Sequence, residues 1–154
     1  MGTSLVRRHN QPDVTVHGVT AQSGEYVLRL GAASNNQYVV HYVEQYAVIP
    51  ADALEITIGG YVQVRTEEDM PSVFDKAWVQ LFHEGQGAAP FFKSAPDWTN
   101  LTVANSWAMF SFRVNVASVA GMEMVFRIVA ELDQNTPTYF YFDTISIAVT
   151  GCQP

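Results

Sequence analysis

Residues 54–65 read Leu-Glu-Ile-Thr-Ile-Gly-Gly-Tyr-Val-Gln-Val-Arg, and this stretch decides the fold. From Leu54 onward, every second position carries an apolar side chain or a glycine, and the positions between are mostly polar. This two-residue period is typical of a β-strand with one face in a core, and it excludes an amphipathic helix. The Gly59-Gly60 pair predicts a bulge or bend inside the strand.

Similar runs recur along the chain, and clusters of turn-forming residues separate them. No window keeps a helical apolar period for about ten residues. Eight or more strands at this spacing predict one all-β domain over residues 1–154, a sandwich or barrel whose folded part is about 14–150. The clear runs are 26–30, 38–49, 77–82, 110–116, 124–131 and 139–149, and the weaker ones are 3–8, 14–17, 90–93 and 101–103.

Composition narrows the possible functions. The chain is 48% hydrophobic and 15% charged, a balance that favours folding over disorder. Its net charge is -7 and its only basic cluster is Arg7-Arg8, so we expect no nucleic-acid partner. No apolar run reaches the roughly 18–20 residues of a membrane span. Residues 1–12 lack the apolar region of a signal peptide, so composition leaves open a cytoplasmic protein or a module of a longer exported chain.

The sequence shows no catalytic constellation, and we predict that the protein is not an enzyme. No serine lies in a G-x-S-x-G elbow, and the histidines lack metal-ligand spacing. Cys152 is the only cysteine, which excludes an intramolecular disulfide and leaves a tail thiol without an assigned role.

Several short motifs in order resemble bacterial extracellular jelly-roll modules of the carbohydrate-binding-module and galactose-binding-like superfamily. The resemblance covers about residues 24–147, and its most specific part is the final run from Thr138 to Ile147. It implies a two-sheet antiparallel β-sandwich of jelly-roll type that binds a glycan without catalysis, outside the cell or on its surface. The motifs are Ser23-Gly24-Glu25-Tyr26, Val43-Glu44-Gln45, Ile49-Pro50-Ala51, Trp107, Phe110, Phe112, Gly121 and Thr138–Ile147.

Alternation also predicts which side chains point outward. If Ala77, Val79 and Leu81 face the core, the side chains between them face solvent, and the same argument applies to the strand that contains Arg127. In the resembled modules these strands share one sheet with residues 38–48. Flat rings stack on sugars, and amide and charged groups bond the hydroxyls. The predicted ligand-binding residues are Trp78, Gln80, Phe82, Arg127, Glu131, Tyr42 and Tyr46.

Two alternatives to a glycan site stay open at this point. Loops could cover the rings, or Trp78 could simply stack on Arg127. The domain would then be a structural or protein-interaction module that binds a protein surface and no sugar. Trp107 is expected to plug the end of the core, whereas Trp98 is as compatible with a sugar platform as with a core position.

The resemblance implies one structural calcium ion at Asp143, and no other cofactor. The first strand lacks the usual acid, so Asp13 or the Glu25 carbonyl would have to replace it. Alternatively, Asp143 accepts backbone N–H bonds at a bulge. Loop acids form a second candidate cation site, for which a solvated turn is the favoured alternative: Glu67, Glu68, Asp69 and Asp75.

Overall fold

The computed structural model shows two antiparallel β-sheets packed face to face. It describes residues 19–24, 27–31, 38–69, 71–83, 89–95, 98–102, 106–134 and 136–152. Helical structure in these ranges is limited to a 3-10 turn at Ala117–Val119, so no described helix is long and apolar enough to cross a membrane. The strands are β1 Leu28–Leu30, β2 Val39–Val48, β3 Ala53–Thr66, β4 Lys76–Phe82, β5 Phe92–Lys93, β6 Trp98–Thr99, β7 Ala108–Asn115, β8 Glu123–Leu132 and β9 Thr138–Cys152.

The strand order is that of a jelly roll. The first sheet has the order β1-β9-β3-β7, and the second has the order β2-β8-β4-β5, with β6 also paired to β4. All pairings are antiparallel, and consecutive strands alternate between the sheets in the first half of the chain. The predicted sandwich and jelly roll are therefore confirmed. The weak strands predicted at 3–8 and 14–17 lie outside the described residues, and Leu101 lies in a turn that follows β6.

The inward faces of both sheets form one apolar core, as alternation predicts. Phe140 and Phe142 of β9 are fully buried, and Phe126 and Ile128 of β8 meet them from the second sheet. Trp98 closes part of this core, with its ring centroid 5.0 Å from that of Phe110 and 5.3 Å from that of Phe142. Alternation predicts ten core residues: Leu54, Ile56, Ile58, Phe110, Phe112, Phe126, Ile128, Phe140, Phe142 and Ile147. Seven of them are buried: Ile56, Ile58, Phe110, Phe126, Ile128, Phe140 and Phe142.

The other three expected core residues are not buried. Phe112 packs against the core but is only half-buried. Leu54 is half-buried because β3 and β9 shift register near it, and Ala53 is buried instead. Ile147 is paired with the fully buried Ile58, yet it is 36% exposed. The reason is that the pairing of β1 with β9 stops at Phe142, so in the described chain the rest of β9 is an edge strand open to solvent.

A bulge lies where Gly59-Gly60 predicts one. Gly59 pairs with Ser146 and Tyr61 with Asp143, so two residues of β9 oppose the single Gly60. A Cβ atom on Gly60 would lie 3.0 Å from Phe110 Cζ and 3.1 Å from the Asp143 carbonyl oxygen. The bulge also holds Thr144 at a φ of 51°, a left-handed conformation that is rare for a β-branched residue.

Trp107 packs outside the inter-sheet core, which corrects the expected core plug. Its ring lies against a smaller cluster on the outer face of β9, formed by Val19, Tyr139 and Tyr141. Its indole Nε1 donates a hydrogen bond to the Thr20 carbonyl at 3.0 Å. Trp107 therefore helps to hold the segment that precedes β1 against the first sheet.

Phe142 and Ile147 offer a test of the two halves of β9. Phe142→Ala should lower the free energy of unfolding by about 3–5 kcal/mol, because it leaves a cavity in the centre of the core. Ile147→Ala should lower it by about 1 kcal/mol or less, because its side chain is already partly solvated. Urea unfolding measures both values. Equal losses at the two positions would contradict the edge position of the end of β9.

Candidate functional site

All seven predicted ligand-binding residues lie on the outer face of the second sheet, which we call the candidate face. Strand pairing sets them in rows across β4, β8 and β2. Trp78, Val129 and Tyr42 form one row, and Phe82, Val125 and Tyr46 form another. The predicted residues on this face are Tyr42, Tyr46, Trp78, Gln80, Phe82, Arg127 and Glu131.

Arg127 is the centre of the candidate face. Its Nε and Nη2 atoms donate to the same oxygen, Glu44 Oε2, at 2.9 and 2.5 Å. The guanidinium carbon lies 4.5 Å from the ring centroids of both Tyr42 and Phe82. A guanidinium has five N–H donors, and Glu44 accepts two of them, while no other acceptor is found among the described residues. The ion pair and the two rings fix Arg127 in one orientation.

Glu44 was missed by sequence reasoning, although it decides the position of Arg127. Its side chain is only 4% exposed, against 27% for Arg127. A buried carboxylate needs a cation or several donors, and Arg127 supplies both. Alternation could have found Glu44, because it shares its parity on β2 with Tyr42 and Tyr46.

Trp78 is half-buried, and one side of its indole is occupied. The Lys93 ammonium lies 4.1 Å from the ring centroid, and the indole Nε1 donates to Gln80 Oε1 at 2.8 Å. The alternative in which Trp78 stacks on Arg127 is not what the structure shows, because Arg127 lies between Tyr42 and Phe82. The position of Lys93 follows from the pairing of β5 with β4, which local periodicity could not reveal.

Two exposed rings of the candidate face belong to β2, which is an edge strand of the second sheet as far as the structure describes it. Tyr42 is 37% exposed and Tyr46 is 45% exposed. Tyr38, which the sequence analysis did not select, is 55% exposed and lies close to the carboxylate of Glu131. Glu131 also lies 4.0 Å from the Lys76 ammonium, an exposed pair of the kind that contributes little to stability.

The predicted calcium site at Asp143 has contacts that do not suit a cation. Asp143 Oδ2 accepts the backbone N–H groups of Gln22 and Ser23 at 2.7 and 3.2 Å. Its Oδ1 accepts the N–H of Thr144 at 2.6 Å, while the Thr144 hydroxyl lies 2.9 Å from Gln22 Oε1 and 3.3 Å from Asp143 Oδ1. The three N–H bonds agree with the alternative in which Asp143 accepts backbone groups at a bulge. Glu25 lies outside the described residues, and calcium at Asp143 stays a prediction.

The second predicted acidic site is only partly assembled. Glu68 and Asp75 come together, joined by Asp133, which the sequence analysis did not include. Glu67 and Asp69 are exposed and do not belong to this group. Asp133 comes directly after β8, and only the pairing of β8 with β4 brings it next to Asp75.

Comparison with known proteins shows which fold the chain has. No family model and no curated protein matches the chain. Among solved structures it is similar to TmCBM61 in complex with beta-1,4-galactotriose, with a TM-score of 0.56 and 13% identity over 85% of this chain and 75% of that one. It is also similar to a family 16 carbohydrate binding module, with a TM-score of 0.52 and 15% identity over 84% of this chain and 80% of the other.

The chain has the fold of a carbohydrate-binding module. Identities this low establish the fold alone, so the role of the candidate face in this module depends on its own side chains.

The two tryptophans Trp78 and Trp98 should respond in opposite ways to truncation. Trp98→Ala should lower the free energy of unfolding by about 3–5 kcal/mol, because its ring packs among core phenylalanines. Trp78→Ala should change it by about 1 kcal/mol or less, because its ring lies on the outer face of the sheet. Guanidinium unfolding followed by circular dichroism gives both values, and a larger loss for Trp78→Ala would mean that the faces of β4 are reversed.

The ion pair in the module can be tested by a double-mutant cycle. Glu44→Ala and Arg127→Ala should together destabilise the fold by about 1–3 kcal/mol less than the sum of the single changes, because each single change leaves the other charge without its partner. Denaturant unfolding of the three variants measures this coupling. Additive losses, to within about 0.5 kcal/mol, would show that the pair has no energetic role.

Proposed function

We propose that this domain is a non-catalytic carbohydrate-binding module that binds glycans on the candidate face. The observation that carries the proposal is the layer of Tyr42, Arg127 and Phe82, in which a fixed guanidinium lies between two aromatic rings and keeps donors that no described residue accepts. Sugars present apolar C–H faces and hydroxyl groups side by side, and rings combined with N–H donors match both.

The shape of the face favours an oligosaccharide or polysaccharide over a monosaccharide. Tyr42 and Tyr46 are four residues apart on β2, or about 13 Å along the strand. Both rings are exposed, and the face continues across β8 to Trp78 on β4. A ligand could therefore contact several rings along one surface. The beta-1,4-galactotriose in complex with TmCBM61 is a ligand of this general size.

The carboxylates of the face support binding without catalysis. Glycoside hydrolysis requires two carboxyl groups placed on either side of the scissile bond. Glu44 is buried under Arg127 and bonded to it, so it cannot reach a ligand as a nucleophile. Glu131 is at the end of the face, where it interacts with Lys76 and Tyr38. Neither carboxylate has the surroundings of a catalytic acid or base.

We also propose that the module acts outside the cell or on its surface, as part of a longer exported chain. Support for this context comes from the fold likeness to carbohydrate-binding modules.

A glycan array followed by calorimetry on the strongest ligand tests the proposal. Tyr42→Ala and Trp78→Ala should each weaken binding by more than about thirtyfold, because a central aromatic anchor typically contributes more than about 2 kcal/mol. Phe82→Ala and Gln80→Ala should act in the same direction, more weakly. Arg127 is left unchanged in this series because its removal would also disturb Glu44.

Met109→Ala is the matched control, since Met109 is an apolar side chain that is 73% exposed on the first sheet. Its affinity for the glycan should equal that of the unmodified protein. If folded Tyr42→Ala and Trp78→Ala variants retain full affinity, the glycan binds elsewhere. If no glycan is bound by the unmodified protein, an interaction module without a sugar ligand becomes the better hypothesis.

A further inference from the structure

Three carboxylates converge at one end of the sandwich, away from Asp143. Glu68 lies in the loop after β3, Asp75 directly precedes β4 and Asp133 directly follows β8. One carboxylate oxygen from each lies within 4.8 Å of the others. Three segments that are distant in sequence therefore bring negative charge to the same point.

Within this group, Asp75 has a carboxylate oxygen for which the described residues supply no donor. It is 1% exposed, and its Oδ1 accepts the backbone N–H of Asp133 at 2.8 Å. Its Oδ2 is buried and has no hydrogen-bond partner among the described residues. The Thr138 side chain interacts with the same carboxylate and counters the rise in its pKa, and its hydroxyl also pairs with the hydroxyl of Thr66 at 2.8 Å. Leaving a buried carboxylate oxygen unsatisfied is unfavourable, so this atom indicates a missing partner.

The loop around the carboxylates is held in place by Asn100, which is 2% exposed. Its Nδ2 donates to Glu68 Oε2 at 2.9 Å and to the Ser72 carbonyl at 2.8 Å. Its Oδ1 accepts the N–H of Phe74 at 3.0 Å. Asn100 thus fixes both Glu68 and the chain that leads into Asp75. Geometry fixed in this way before binding reduces the entropic cost of holding a ligand.

The negative charges of the three carboxylates repel one another when no cation is bound. Burial and the negative charges of Asp75, Asp133 and Asp69 raise the pKa of Glu68 to about 6. Burial raises the pKa of Asp75 as well. A bound cation would remove the repulsion and give the buried oxygen of Asp75 a partner.

We propose that Glu68, Asp75 and Asp133 bind a calcium ion. Calcium prefers oxygen ligands at about 2.3–2.6 Å, so two of its ligands lie at most about 4.6–5.2 Å apart, and the three carboxylate oxygens, all within 4.8 Å of one another, meet this limit. Magnesium requires about 2.0–2.1 Å and a stricter octahedral geometry. Zinc prefers nitrogen and sulfur ligands, and the described side chains of this group supply only oxygen. Water completes the calcium coordination.

Calorimetry and thermal unfolding of the whole chain after chelator treatment test the site, with calcium chloride as the probe. At a calcium concentration of about 100 times Kd, the melting temperature should rise by roughly 5–10 °C. Magnesium at the same concentration should give a smaller rise. Asp75→Asn should reduce the number of bound calcium ions by one and abolish the rise due to this site. In chelator its melting temperature should equal or exceed that of the unmodified protein, because one of the repelling charges is gone.

Asp143→Asn is the matched control, because it also neutralises a buried carboxylate but lies at the bulge of β9. It should keep the calcium response. Glu68→Gln gives a second test in case Asp75→Asn does not fold, and it should weaken calcium binding at least about tenfold. Absence of calcium binding by the unmodified protein would overturn the proposal. So would a response that survives in Asp75→Asn and Glu68→Gln but disappears in Asp143→Asn. Neither readout requires a glycan, so the test is independent of the proposed function.

Discussion

The pairing of β3 with β9, together with its bulge, is the constraint on which the rest of the fold depends. These are the two longest strands, and they form the centre of the first sheet. The pairing directs Phe140 and Phe142 into the core and Tyr139 and Tyr141 to the outer cluster. The bulge then places Asp143 where it receives the backbone of Gln22 and Ser23, which fastens the segment before β1. A bulge at a sheet centre is tolerated here because Gly60 has no side chain to collide with Phe110.

The outer face of the second sheet combines polar and aromatic side chains, and several of them are held in place by their neighbours. Arg127 is bonded to a buried carboxylate and lies between two rings, and Trp78 is bonded to Gln80. Ordering such side chains on binding normally opposes affinity, so ordering them beforehand favours it. A surface that only faced solvent would gain nothing from a buried charge such as Glu44, whose removal from water is unfavourable. This arrangement supports the proposed glycan-binding function.

Two-residue alternation predicted the strands, the two faces and the membership of the candidate face, because these depend only on neighbours in sequence. It was wrong at Ile147 because the end of β9 is an edge strand, and exposure at an edge depends on which strands lie beside it. The position of Trp107 was wrong and that of Trp98 stayed open, because both lie at or beside loops, where orientation follows from distant packing. Asp133 was missed because β8 and β4 meet only through sheet pairing, and Glu44 because no charge partner was sought for Arg127.

The acidic group and the candidate face are connected through the same two strands. Asp75 precedes Lys76 and Asp133 follows Leu132, while Lys76 and Glu131 are register partners at the end of the face. A cation held by Asp75 and Asp133 would therefore join the start of β4 to the end of β8 and fix their register. The Arg127 layer lies four residues from Glu131, about 13 Å along β8, and has its own counter-ion in Glu44. Screening by solvent over that distance is strong, so a cation at this end would act on the stability of the sheet and leave the centre of the face electrostatically unchanged.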